Sequence, residues 1–95
     1  MSLRDAYRQK MEAQLEVEVA KLELLKARAK QALADGRIMA YEELADVEGK
    51  LASTKAKLKE LGTATEGAFD ELKSGVEGAW ASLKTAGEKA AERFR

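Results

Sequence analysis

Apolar side chains recur at steps of three or four residues from Leu3 to Leu33, and the pattern continues in phase through Gly36 to Leu61. This spacing places them along one face of an α-helix. The chain contains no proline that would break such a helix. Taken alone, the stripe allows a single helix over residues 3–61, about 88 Å long at a rise of about 1.5 Å per residue. It predicts an all-α protein in which a long helix carries an extended apolar seam.

The charges around Asp35-Gly36 allow a second interpretation of the same segment. Basic residues precede this dipeptide and acidic residues follow it, as at the end of one helix and the start of another. Asp-Gly is itself a turn signal. A glycine inside a helix costs only about 1 kcal/mol, so both an unbroken helix and a hinge at residues 35–37 are compatible with the sequence.

Opposite charges would meet if the chain folded back about Gly36. Residue i would then lie near roughly residue 72 − i of the same chain, which brings Lys26 close to Asp46 and Glu12 close to Lys59. Two unbroken helices in an antiparallel dimer would make the same contacts between chains, because the hairpin and the dimer are domain-swapped versions of each other. The charge pattern therefore does not distinguish the two forms.

A second helix boundary lies just after Leu61. Gly62 occupies the position that often follows a helix C-terminus, and Thr63-Ala64-Thr65-Glu66 matches a capping box. We predict a turn at residues 62–64 and a C-terminal helix over residues 64–94 that folds back antiparallel. Bulky residues on its apolar face are expected to dock onto the first segment: Phe69, Leu72, Val76, Trp80 and Leu83.

The composition excludes most catalytic and metal-binding chemistry. The 95 residues include no cysteine and no histidine, so thiolate nucleophiles, imidazole bases and the commonest metal ligands are absent. The 17 acidic residues are matched by 17 basic ones, and no pair of carboxylates lies among apolar neighbours that would raise a pKa. We therefore expect one non-enzymatic helical domain over residues 1–95, with no catalytic residue, cofactor or metal.

Nucleic acids and membrane interiors also match this sequence poorly. The four lysines between positions 50 and 59 would neutralise few phosphates on a chain of zero net charge. No apolar run is long enough to span a membrane or to serve as a secretory signal. The expectation is a cytoplasmic protein that does not bind nucleic acid.

Three parts of the sequence resemble a known family when taken together: Arg4-Asp5-Ala6-Tyr7, Ala34-Asp35 with Tyr41, and Ala68-Phe69-Asp70-Glu71-Leu72-Lys73-Ser74-Gly75-Val76-Glu77-Gly78-Ala79-Trp80. The family is one of small bacterial coiled-coil proteins of about this length, some of them described as stress-response proteins. The resemblance covers the whole chain, and its most specific part is the stretch centred on Trp80. It implies a helix that continues through Asp35-Gly36, where the family usually has Asp-Ala, and it implies no catalytic residue.

The expected function follows from the apolar seam. If the C-terminal helix folds back along Leu44–Leu61 of its own chain, the stripe over Leu3–Leu33 is left uncovered, and an exposed seam of that length is expected to find a partner. An antiparallel homodimer with a four-helix core would cover it, as would another helical protein. The residues predicted to form this association seam are Leu22, Leu25, Leu33, Leu44, Val47, Leu51, Leu58 and Leu61.

The alternative function is reversible binding to a membrane surface through Ala64–Phe94. Lysine and arginine side chains border the apolar face of this segment and could extend along it, in a layout that resembles the lipid-surface helices of apolipoproteins. Trp80 would suit the lipid–water interface. The same apolar face is also what a helix needs to pack in a bundle, so the sequence favours bundle packing over the membrane interpretation.

Overall fold

Three α-helices account for nearly all of the described chain. The structure is a computed structural model that describes residues 2–34 and 39–93, with side chains described for residues 2–31 and 41–93. Helix α1 covers Leu3–Ala34, α2 covers Met39–Thr63 and α3 covers Glu66–Arg93. The described residues include no strand, and the three helices pack against one another. The predicted all-α bundle is confirmed.

The ends of the helices show how local sequence sets the boundaries. The Ser2 hydroxyl accepts a hydrogen bond from the Asp5 N–H at 3.1 Å, which satisfies one of the free donors at the start of α1. The Thr63 hydroxyl donates to the Glu60 carbonyl at 3.1 Å, so this side chain closes α2 and does not cap α3. The turn accordingly falls at residues 64–65, slightly later than the sequence predicts.

The first two helices form an antiparallel hairpin within one chain. Lys26 near the end of α1 pairs with Glu48 on α2, and Arg8 near the start of α1 lies against Gly62 at the end of α2. The hydrogen bond to Glu48 raises the pKa of Lys26. This arrangement is the hairpin, one of the two forms that the sequence leaves open, and not an unbroken helix over residues 3–61. The predicted hinge at residues 35–37 lies outside the described residues.

Helix α3 then runs back along α2 and parallel to α1. Arg93 at its end donates from Nε to Oε1 of Glu43 near the start of α2, at 2.9 Å. Arg4 at the start of α1 donates to the backbone carbonyl of Ala64 just before α3. The result is a narrow bundle that measures 51 × 19 × 17 Å. Most of the packing of α3 is against α2, and α1 and α3 touch only lightly.

One apolar core runs along the axis of the bundle. Its buried members are Met11, Leu15, Leu22, Leu25 and Ala29 of α1, Leu44, Val47, Leu51, Leu58 and Leu61 of α2, and Val76, Leu83, Ala86 and Ala90 of α3. Thr54 is the one buried polar side chain in the described part of the chain, and its hydroxyl donates to the Lys50 carbonyl at 2.8 Å. The stripe on α1 that is expected to stay uncovered is therefore buried within the bundle at five positions between Met11 and Ala29, whereas Leu3 at its start is 84 % exposed.

Candidate functional site

The structure brings most of the predicted site residues together, but inside the chain's own core. Seven of the eight association-seam residues are buried there, and the side chain of the eighth, Leu33, lies outside the described residues. Of the residues predicted to dock α3, Val76 and Leu83 are buried, and Phe69, Leu72 and Trp80 are partly buried against the core. All five residues of this row lie in or against the core that the three helices share. Self-association through the residues of the association seam stays a prediction.

The described side chains offer no metal site. No three acidic side chains in residues 2–31 and 41–93 come close enough to hold an ion. The acidic residues at the start of α2 instead serve as partners for cations on neighbouring turns or helices, as Asp46 does for Lys50 at 3.2 Å and Glu43 for Arg93. These are ordinary surface ion pairs, each of which contributes about 0–1 kcal/mol to stability.

The environment of Tyr7 shifts its titration. Its hydroxyl is buried without a hydrogen-bond partner, and its ring contacts Phe69 near the start of α3. Burial raises the pKa of Tyr7, and the nearby Glu77 carboxylate raises it further. The Tyr7 ring contacts Phe69 and so joins α1 to α3.

A shallow groove lies between α1 and α2 near the α3 turn. It has a volume of about 570 Å³, and Leu15, Val19 and Leu58 contribute apolar surface to its lining. Charges of both signs surround it, with Glu12 and Glu16 from α1 and Lys55 and Lys59 from α2. Such mixed edges do not select for a ligand of one charge, so the groove gives no indication of a specific small molecule.

A second groove separates α1 from α3, where these two helices touch only lightly. Its volume is about 290 Å³, and the buried residues Leu22, Leu25 and Val47 contribute to its lining. On its α1 side stands Leu24, which is 54 % exposed. An isolated exposed leucine is common on protein surfaces. The significance of Leu24 lies in the residues that share its face of α1.

An apolar strip follows the outer face of α1, away from the core. Val17 is 53 % exposed and precedes Leu24 by seven residues, so both lie on the same face. Exposed alanines lie before, between and after these two residues on the same face. The five residues form what we call the outer seam: Ala13, Val17, Ala20, Leu24 and Ala27. The steps along it are 4, 3, 4 and 3, which is the spacing of a coiled-coil contact.

The outer seam was not among the residues predicted from sequence. A signal for it was present in the steps of three and four, and alanine stands at every seventh position from Ala6 to Ala34. It was hidden because α1 carries a second, more hydrophobic stripe with the same spacing. Only the structure shows which of the two stripes is used inside the bundle.

The apolar face of α3 is not available for lipid in this form of the protein. Val76 and Leu83 are fully buried, and Trp80 is partly buried against the core. Binding to a membrane surface would require α3 to leave the bundle. None of the helices, over the residues described, has the length and apolarity needed to cross a membrane.

Comparisons with known proteins add no relative to this description. A scan against protein-family models and searches of curated proteins and of solved structures found no match to the chain. The resemblance to small bacterial coiled-coil proteins therefore stays a prediction. The exposed side chains of α1 are the remaining indication of function.

Proposed function

We propose that this protein acts without catalysis, through helix–helix self-association in which the outer seam of α1 docks against a helix of a second copy of the chain. The observation that carries the proposal is the exposure of Val17 and Leu24 on a face that neither α2 nor α3 covers. Burying an aliphatic side chain of this size stabilises a complex by about 1.5–3 kcal/mol when burial is complete. A stress-related role is supported only by the family resemblance.

The alanines of the outer seam support this kind of contact. Ala13, Ala20 and Ala27 alternate with the two larger residues, so the seam is narrow and nearly flat. A partner helix could approach closely over these positions while Val17 and Leu24 enter the spaces between its side chains. A helix is therefore a better fit to this surface than a small molecule, which would need a deeper cavity.

The buried leucines of the core are a less suitable contact surface. Leu22, Leu44 and Leu51 are each at most 7 % exposed. To reach a partner they would have to be released by opening the hairpin, which means exposing most of the core to water. The outer seam needs no such rearrangement, because its residues already lie on the surface.

Sedimentation velocity over a wide range of protein concentration tests the proposal. The wild-type protein is expected to gain mass as its concentration rises, and the double variant Val17→Asp/Leu24→Asp is expected to stay monomeric. The matched control is Ala45→Asp/Ala52→Asp, which places two charges at the same spacing on exposed positions of α2. Circular dichroism checks whether all three proteins keep their helices.

Three results would contradict the proposal. The first is a wild-type protein that stays monomeric at every concentration. The second is a seam variant that associates as strongly as the wild type does. Equal loss of association in the seam variant and the control would also count against it, because the effect would then come from added charge and not from the seam.

A further inference from the structure

We infer that the helix that docks on the outer seam is α1 of a second copy of this chain, lying parallel and in register. This inference rests on the proposed function and adds which helix of the second copy docks and in which direction it runs. It comes from the charges that flank the seam, because these distinguish a parallel pair of α1 helices from an antiparallel pair.

The outer seam divides into heptad positions. Val17 and Leu24 occupy the position conventionally named a, and Ala13, Ala20 and Ala27 occupy d. In a parallel, in-register pair each of these residues packs against the same residue of the second copy. The apolar part from Ala13 to Ala27 is about 21 Å long at about 1.5 Å per residue. An interface of this size is typical of weak, concentration-dependent association.

The two edges of the seam carry opposite charge. Glu16 and Glu23 occupy the g positions on one edge, and Lys21 and Arg28 occupy the e positions on the other. In a parallel pair, each g residue faces the e residue five positions later on the partner helix. Glu16 would then face Lys21, and Glu23 would face Arg28, twice each by symmetry.

An antiparallel pair would place like charges together. In that direction g positions face g positions and e positions face e positions, so glutamates would meet along one edge and cations along the other. Charges at these positions set the direction and partner of a coiled coil more than its strength. The charge pattern of the outer seam thus favours a parallel pair, whereas the dimer expected from the sequence is antiparallel and forms through a different set of residues.

The flanking charges are accessible for contacts with a second copy. The side chains of Lys21 and Glu23 are 65 % and 66 % exposed, and their ion pairs within α1 are loose, at 3.6 Å to Glu18 and 3.7 Å to Lys26. The outer seam points away from the core-facing side of α1, with Leu24 at the edge of the groove towards α3. A two-fold axis that runs parallel to the two α1 helices, between them, would therefore place the remainder of the two bundles on opposite sides of the contact.

Cysteine cross-linking tests the direction of the pair. The chain has no cysteine of its own, so a single Ala13→Cys substitution gives a unique thiol. Parallel, in-register chains bring the two thiols together, and we expect rapid disulfide formation under mild oxidation. A mixture of Ala13→Cys with isotopically labelled Ala27→Cys should give at least ten-fold less of the mixed disulfide, since about 21 Å separates these positions along the helix.

Charge exchange gives a second test. The variant Lys21→Glu/Arg28→Glu should weaken self-association at least ten-fold, and adding Glu16→Lys and Glu23→Lys in the same chain should restore it. An antiparallel pair predicts no such difference, because like charges would face each other in all three proteins. The control Lys57→Glu/Lys89→Glu makes the same change in net charge at exposed positions of α2 and α3.

The possible outcomes separate this inference from the proposed function. Preferential Ala13–Ala13 linkage with charge rescue supports the parallel pair. A dominant mixed disulfide, or association without either linkage, overturns the parallel pair and leaves association through the outer seam standing. A protein that stays monomeric at every concentration in sedimentation overturns both.

Discussion

The ring of Tyr7 meets the ring of Phe69 edge-on, with ring centroids 6.1 Å apart and planes inclined at 89°. This contact joins the start of α1 to the start of α3, at the end of the bundle where the chain turns from α2 into α3. The Nζ atom of Lys73 lies 5.3 Å from the centre of the same tyrosine ring. Because α1 and α3 otherwise touch lightly, the aromatic contact is a main link between them.

Replacing Phe69 should loosen this link. We expect Phe69→Ala to lower the free energy of unfolding by about 2 kcal/mol, less than for a fully buried phenylalanine because Phe69 is only partly buried. Phe69→Leu keeps most of the apolar volume and loses the edge-on contact, so it should cost about 1 kcal/mol. Urea denaturation followed by circular dichroism measures both. Equal stability of Phe69→Ala and wild type would show that the contact does not hold α3.

The Tyr7 hydroxyl should make stability depend on pH in the alkaline range. Its pKa is raised in the folded protein, mainly by burial, so the folded chain holds this proton more tightly than the unfolded chain. The corresponding stability is present below pH about 10 and is lost as the pH rises through the raised pKa. We expect Tyr7→Phe to lose less stability than the wild type between pH 9 and 11, by about 1 kcal/mol or less. Parallel curves would contradict this assignment.

The same substitution should lower stability at one leucine of α2 and weaken self-association at one leucine of the outer seam. Leu44 is 4 % exposed in the core, so Leu44→Ala is expected to lower the free energy of unfolding by about 2–5 kcal/mol. Leu24 is exposed on the outer seam, so Leu24→Ala should change stability by about 0.5 kcal/mol or less while it weakens self-association. Denaturation and sedimentation of the two variants check this. A large stability loss from Leu24→Ala would place this side chain in the core.

Two glycines should differ in their response to an added methyl group. At Gly62 a Cβ atom would lie 3.0 Å from Cδ of Arg8, whereas at Gly78 no heavy atom lies within 4 Å of it. Gly78→Ala should therefore raise the free energy of unfolding by about 1 kcal/mol, the usual gain in a helix. Gly62→Ala should gain less, because Arg8 must move. Thermal denaturation compares them, and a larger gain at Gly62 would be the contrary result.

Trp80 reports whether α3 leaves the bundle for a membrane. Because its ring packs against the core, we expect its fluorescence maximum to stay unchanged when neutral or anionic phospholipid vesicles are added to the folded protein. Phe69→Ala, in which α3 is held less firmly, is the informative comparison. A blue shift in the wild type at modest lipid concentration would support the membrane-surface alternative instead.

The sequence predicts the fold class and the packing of α3 correctly, for clear physical reasons. The row from Phe69 to Leu83 is the only bulky face of its helix, so no competing choice exists there. The hairpin could not be separated from an unbroken helix, because Lys26 meets the same acidic segment of α2 in either arrangement. Its partner is Glu48, close to the predicted Asp46.

The outer seam was not predicted because two stripes with helical spacing share α1. The stripe through Leu15 and Leu22 buries far more apolar area than the alanine-rich one through Val17 and Leu24. From the sequence alone, the more hydrophobic of the two stripes is the better candidate for association, and it is the one that the sequence analysis selects. Which stripe is left for a partner depends on how much of the stronger one the chain covers itself, and that is a property of the tertiary structure.

The hydroxyl of Thr54 is satisfied within α2, and this leaves the core without a hydrogen bond that crosses between helices in the described residues. Apolar packing resists sliding of one helix past another by shape alone. The directional contacts between helices lie at the edges, in Lys26 with Glu48, Glu43 with Arg93 and Arg4 with Ala64. High salt screens the charged pairs among them. The helices should then shift lengthwise against each other before they unwind.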